Sequence, residues 1–157
     1  MAQPARLLYC NCTYAQVVPK EVKEAVLKKL CEAGVAFEAV ADLCEMSARR
    51  DPSLKRLAEG TGGIKIAACY PRAVKWLFAA AGAPLPENAA EVLNMRVQNG
   101  EEVFQRVLNE ELKPNLPAGK VSAGALAHSG TSTIASVPQA EGATPVSAQI
   151  SAQDALS

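Results

Sequence analysis

Ile64-Lys65-Ile66-Ala67-Ala68-Cys69, followed by Tyr70-Pro71-Arg72, reads as a strand running straight into a helix. The run is apolar and rich in β-branched residues, and it is bounded on its near side by the helix-breaking cluster Gly60 to Gly63. Pro71 stands where helices favour proline, at the first turn, where its missing N–H is not needed. Val74, Leu77 and Phe78 give the following helix one apolar face, and Gly82 ends it.

Working outward, the same alternation recurs. Upstream, Leu7-Leu8-Tyr9-Cys10 is a short apolar run, and Pro19 opens a helix with Val22, Val26 and Leu30 at four-residue intervals. Ala25, Leu27 and Cys31 back that stripe, and Gly34 closes the helix. Val35 to Ala41 is a second strand, and Asp51-Pro52-Ser53 caps a short helix through Leu54 and Leu57. Downstream, Val92 to Val97 is a fourth strand, and Glu101 to Leu112 is an amphipathic helix. Strands separated by helical crossovers imply a parallel sheet with right-handed connections. The expected fold is a small Rossmann-like three-layer α/β domain over residues 5–112, with a sheet of about four strands.

The composition changes at Lys113. From there to Ser157 the chain is dominated by Ala, Ser, Gly, Thr and Pro and has no aromatic residue, so residues 113–157 are expected to be a disordered tail. The one histidine, His128, falls in that tail. No Ser/His/Asp or Cys/His arrangement for hydrolysis is therefore expected in the folded part. Paired carboxylates, Glu101-Glu102 and Glu110-Glu111, read as a solvated helix face.

Lys plus Arg balances Asp plus Glu at 16 each in the 157-residue chain. Without a basic excess the electrostatic case for nucleic acid fails. The longest apolar runs, such as Leu77 to Ala83, are too short to span a bilayer, and Met1 to Arg6 lacks the pattern of an export signal. The expectation is a cytoplasmic protein without membrane insertion. In a reducing compartment the 5 cysteines are not disulfide staples, which leaves metal binding, catalysis or burial.

The cysteines are not scattered on this map. Cys10 and Cys12 end the first strand, Cys44 follows the second and Cys69 ends the third. All four fall at the carboxyl ends of parallel strands, the edge where open α/β sheets bind ligands. Cys31 is set apart, in mid-helix and facing inward. Four thiolates suit an iron–sulfur cubane, and the small neighbours Ala67, Ala68, Thr13 and Ala15 leave room for one. Zinc is the alternative, although structural Cys₄ sites favour two short-range pairs, whereas here one pair has a single intervening residue and two cysteines are isolated. A dithiol exchanger is the third reading, but Cys10-Asn11-Cys12 is one residue shorter than the usual C-x-x-C motif.

Leu8-Tyr9-Cys10-Asn11-Cys12, Asp42-Leu43-Cys44 with Asp51-Pro52, and Ile66-Ala67-Ala68-Cys69-Tyr70-Pro71-Arg72 together resemble the N-terminal domain of the heterodisulfide reductase A subunit. The resemblance covers about residues 6–97 and includes Leu93-Asn94-Met95-Arg96. It implies a [4Fe–4S] cluster on Cys10, Cys12, Cys44 and Cys69, and a non-catalytic electron-transfer subunit beside a larger, flavin-containing oxidoreductase. Arg72 has two readings: a charge facing the cluster or a partner, or an exposed first-turn arginine. The chain departs from the full subunit in having no flavin site. Its best glycine cluster, Gly60-Thr61-Gly62-Gly63, precedes a strand, whereas a dinucleotide fingerprint follows one. The segment Ala73 to Phe78 is also more apolar than the family's usual continuation.

Overall fold

The protein is represented by a computed structural model that describes residues 4–119. Most of the expected tail, His128 included, lies outside the described residues. Elements run in the order β1 (Arg6–Cys10), α1 (Lys20–Glu32), β2 (Glu38–Val40), α2 (Leu43–Ala48), α3 (Ser53–Ala58), β3 (Ile64–Ala68), α4 (Pro71–Ala80), β4 (Ala90–Asn94) and α5 (Gly100–Leu108). The strands form one sheet in the order β2-β1-β3-β4, with every pairing parallel. The expected α/β architecture, with four parallel strands between helical layers, is therefore what the chain adopts.

The chirality of the crossovers sets the layers. The step from β1 to β2 runs one way across the sheet, and the steps from β2 to β3 and β3 to β4 run the other way. Right-handed connections then put α1 on one face and α2, α3 and α4 on the opposite face. α5 packs on α1, whereas α2 and α3 pack on α4. Leu8, Tyr9, Ile64, Ile66, Val74 and Phe78 form the centre of the core, each 1 % exposed or less.

Local rules account for the element ends. Gly34 and Gly82 follow α1 and α4 with φ of +64° and +77°, the left-handed geometry that glycine adopts without a Cβ clash. Asn99 and Glu102 form a capping box at the start of α5. That helix ends earlier than its apolar period suggests, because Asn109 turns extended. The ammonium of Lys65 on β3 donates to the carbonyl of Arg106 on α5, at 2.9 Å, and to that of Asn109 at its end.

Two local features depart from the sequence reading. A short helix, α2, which the sequence pattern did not predict, follows β2 and carries Cys44 in its first turn. Cys31 is exposed, not inward. It lies one residue beyond Leu30, and a step of about 100° around the helix carries it off the Val22–Val26–Leu30 stripe.

The folded chain also continues past Leu112. Lys113 N–H donates to Glu91 Oε2 at 2.8 Å, and Asn115 N–H donates to Ala90 O at 3.3 Å. The Asn115 side chain both accepts from Val92 N–H and donates to Val92 O, each at 2.8 Å. This segment satisfies the open edge of β4, an edge that would otherwise offer unpaired N–H and C=O groups to another strand.

Candidate functional site

The strand order creates a switch point. β1 and β3 are neighbours, but their crossovers leave toward opposite faces, so the chain diverges at their carboxyl ends. Cys10 is the last residue of β1, Cys12 lies two residues on, and Cys69 directly follows β3. Cys44 sits in the first turn of α2, after the neighbouring β2. All four sequence-predicted ligands are therefore at the carboxyl edge.

The turn after β1 is held tightly. Asn11 N–H donates to Val40 O at 2.9 Å and Thr13 N–H to Ala41 O at 3.0 Å, which extends the β1–β2 pairing beyond the strands. Lys23 Nζ on α1 donates to Asn11 O at 3.0 Å, and the Tyr9 hydroxyl donates to Lys23 O at 2.8 Å. Between these anchors Cys12 adopts φ +49°, a left-handed conformation uncommon outside glycine. The turn buries Cys12 and lets its sulfur accept an N–H from Val17 at 3.4 Å. Such N–H···S contacts are the kind that tune a metal-bound sulfur.

Asp42, 1 % exposed, is the N-cap of α2. Its Oδ1 accepts from Cys44 N–H at 2.8 Å and Glu45 N–H at 3.2 Å. Its Oδ2 accepts from Tyr14 N–H and Ala15 N–H, both at 3.0 Å. Burial acts to raise its pKa, but these four donors outweigh burial and hold the carboxyl below its ordinary range.

Cys10 is buried, Cys69 half-buried and Cys44 exposed. Burial pushes the Cys10 thiol up to about 11, against the backbone hydrogen bonds of Leu43 and Cys12 that favour the thiolate. Cys44 also rises to about 11, through desolvation first and then the negative charges of Asp42, Cys69 and Cys12. Cys69 is raised by burial, while the Tyr70 backbone and the charge of Arg96 work the other way. Cys12 is the shared neighbour: the other three all feel its charge.

The four thiols are of the number and kind that a thiolate-ligated group takes, and all lie at one sheet edge. Among the described residues, however, no three or more His, Cys, Asp or Glu side chains are placed to hold one metal ion. Burial raises three of the four thiols and so favours their protonated forms. Loading would therefore require the side chains to turn toward one another and release protons.

Several apolar and aromatic side chains are exposed on the segments that leave this edge. Tyr14, Val17 and Tyr70 are exposed, and Trp76 on α4 is 66 % exposed. Phe78, on the apolar face of α4, is buried in the core, whereas Trp76 is not. Two residues apart on a helix is about 200°, so the pair cannot share one face. Arg72 is exposed in the first turn of α4 and lines an apolar groove of about 650 Å³ with Tyr70, Pro71, Trp76 and Pro117. The cation whose charge reaches Cys69 is instead Arg96, whose guanidinium lies 4.7 Å from the Tyr70 ring centroid.

Asp42 and Arg96 are the site residues that sequence reasoning did not single out. Asp42 carried a readable signal: an aspartate followed three residues later by Glu45 has the spacing of a helix N-terminus. Arg96 carried none of its own, since its stacking on Tyr70 depends on β3 and β4 being neighbours. Among the described residues no helix is long and apolar enough to cross a membrane. No family model, curated protein sequence or solved structure matches the chain, so any chemistry assigned to it rests on this constellation of residues.

Proposed function

We propose that this chain is a small cytoplasmic electron-transfer protein that holds one [4Fe–4S] cluster on Cys10, Cys12, Cys44 and Cys69. It would serve as a subunit beside a larger heterodisulfide-reductase-like oxidoreductase that carries the flavin. The observation that carries the reading is topological: three strand ends separated in sequence deliver four cysteines to one sheet edge, next to the switch point.

A cluster bound there supplies one-electron redox chemistry. The chain's own residues do the rest. Leu43, buried beside Cys10, and the small residues Ala67 and Ala68 provide an apolar, water-poor floor. Val17 N–H is directed at the Cys12 sulfur. Arg96 places a positive charge near Cys69, where net negative charge would accumulate. Cys44, Tyr14 and Tyr70 face solvent, so a partner can approach the edge closely.

The test is anaerobic purification of the chain and of Cys69→Ser, with iron, acid-labile sulfide and zinc quantified. The expected result is about four irons and four sulfides per chain, lost in the variant. Stoichiometric zinc would overturn the electron-carrier reading in favour of a zinc-binding interaction module. No metal with a Cys10–Cys12 disulfide would instead make the protein a redox-sensing interaction module or a dithiol exchanger.

A further inference from the structure

We propose that Asp42 is the positioning residue of the thiol site, a buried clamp that holds the Cys12 loop and the Cys44 helix turn in one register. A helix N-terminus needs only one acceptor, and serine caps about as well as aspartate. Asp42 does more than cap. Oδ1 serves the α2 side through Cys44 and Glu45, while Oδ2 reaches back some 28 residues in sequence to Tyr14 and Ala15. Serine has no second oxygen for that second pair.

The partners of this charge are unusual. No lysine or arginine pairs with Asp42 among the described residues. The carboxylate is 1 % exposed, and four backbone N–H groups fill its acceptor sites. A buried carboxylate stabilised in this way tolerates little movement, since losing a donor leaves part of its charge uncompensated. Both segments it ties are the ones that bear ligands. Cys12 stands two residues before Tyr14 with its left-handed φ of +49°, and Cys44 is itself one of the donors. The clamp thus fixes the relative placement of two thiols that come from different strand ends. Its relevance to ligand binding rests on the thiol-site reading above, whereas its geometry does not.

Asp42→Ser in the full chain separates the two roles, because it keeps the cap and removes the reach to the loop. Three measurements are made on wild type and variant under reducing conditions: amide exchange at Tyr14, Ala15, Cys44 and Glu45; the thiolate-to-metal charge-transfer absorption on titration with Co²⁺; and iodoacetamide alkylation rates of each cysteine. The expected variant keeps protection at Cys44 and Glu45 and loses roughly tenfold or more at Tyr14 and Ala15. Its Co²⁺ affinity falls about 10- to 100-fold, with lower charge-transfer intensity per ion. Alkylation of Cys12 rises about tenfold while that of Cys31 is unchanged. Wild-type cobalt spectra and affinity with the loop amides deprotected would overturn the proposal, as would unchanged protection at Tyr14 and Ala15. If wild type itself shows no thiolate-to-cobalt band, the thiol-site reading fails, and the Cys12 alkylation ratio alone decides the positioning role. Should Asp42→Ser not fold, Asp42→Asn, which keeps the volume and one acceptor, takes its place with the same outcomes.

Discussion

The molecule has two buried polar centres, and they are built on opposite principles. At the carboxyl edge, Asp42 has backbone N–H groups as its hydrogen-bond partners. Across β3 and β4, Lys65 and Glu91 are direct register partners and both are 3 % exposed. Glu91 accepts from Arg106 Nε at 2.6 Å and from Lys113 N–H, while Lys65 holds the end of α5. The first centre joins loops to loops at the site. The second joins sheet, helix and the segment after α5, so it closes the fold. A carboxylate solvated by amides depends on local backbone placement, whereas one in a network of opposite charges depends on the tertiary packing of several elements.

The largest effect should come from the second centre. Glu91→Ala leaves Arg106 and Lys65 without their shared counter-charge, and breaking a buried pair in this way costs about 3–5 kcal/mol. Urea unfolding measures it. A loss below about 1 kcal/mol would show that water reaches this network and that the contrast is false. Because many domains are stable by only about 5–15 kcal/mol, the variant should sit close to its unfolding threshold.

Alkaline pH sharpens the contrast by sign. Burial first, and then the charges of Cys10, Glu24 and Cys12, push the Tyr9 hydroxyl from 10.0 to about 12. Between those values the folded chain keeps a proton that the unfolded chain has lost. Stability is therefore fully present below pH 10 and is lost as pH rises through 12, by about 2–3 kcal/mol. Cys10 acts in the same direction between 9.0 and about 11. Lys65 acts oppositely: burial lowers its pKa below 10.5, so in that window the unfolded chain holds the extra proton and stability rises with pH. Urea midpoints from pH 8 to 11.5 should fall in wild type, and the fall above pH 10 should be shallower in Tyr9→Phe. Equal slopes would mean that Tyr9 ionises without unfolding cost.

The smallest effect is expected at the cysteine outside both centres. Cys31 is exposed on α1, so Cys31→Ser should change stability by less than about 0.5 kcal/mol and leave iron content at the wild-type value. A loss of iron comparable to that of Cys69→Ser would place Cys31 in the site and remove the distinction drawn between it and the other four.

Strand and helix identity was legible wherever one pattern was strong. Ile64–Ala68 and the α4 stripe of Val74 and Phe78 came out as read, because apolar periodicity and a first-turn proline act locally. α2 was missed because six residues hold too little periodicity to register, although Asp42 and Glu45 marked its start. The segment after Leu112 looked unable to order itself. Its polar and small residues bury little surface, yet Asn115 can hydrogen-bond an open strand edge, which no composition reveals. Lys65 was taken as part of an apolar strand, and its burial is tolerated because its ammonium donates to the carbonyls of Arg106 and Asn109 and Glu91 lies opposite in register.

By itself the sequence determined that the chain alternates strand and helix, that its sheet is parallel, and that four cysteines follow strand ends, since each of these depends on residues near one another in the chain. Tertiary structure decided which strand ends adjoin, that Cys12 is shared by the other three thiols, that Arg96 rather than Arg72 carries charge to Cys69, and that one carboxylate links the loops bearing Cys12 and Cys44. Those are matters of distance between segments tens of residues apart, and such distances exist only once crossover handedness and strand order have been chosen.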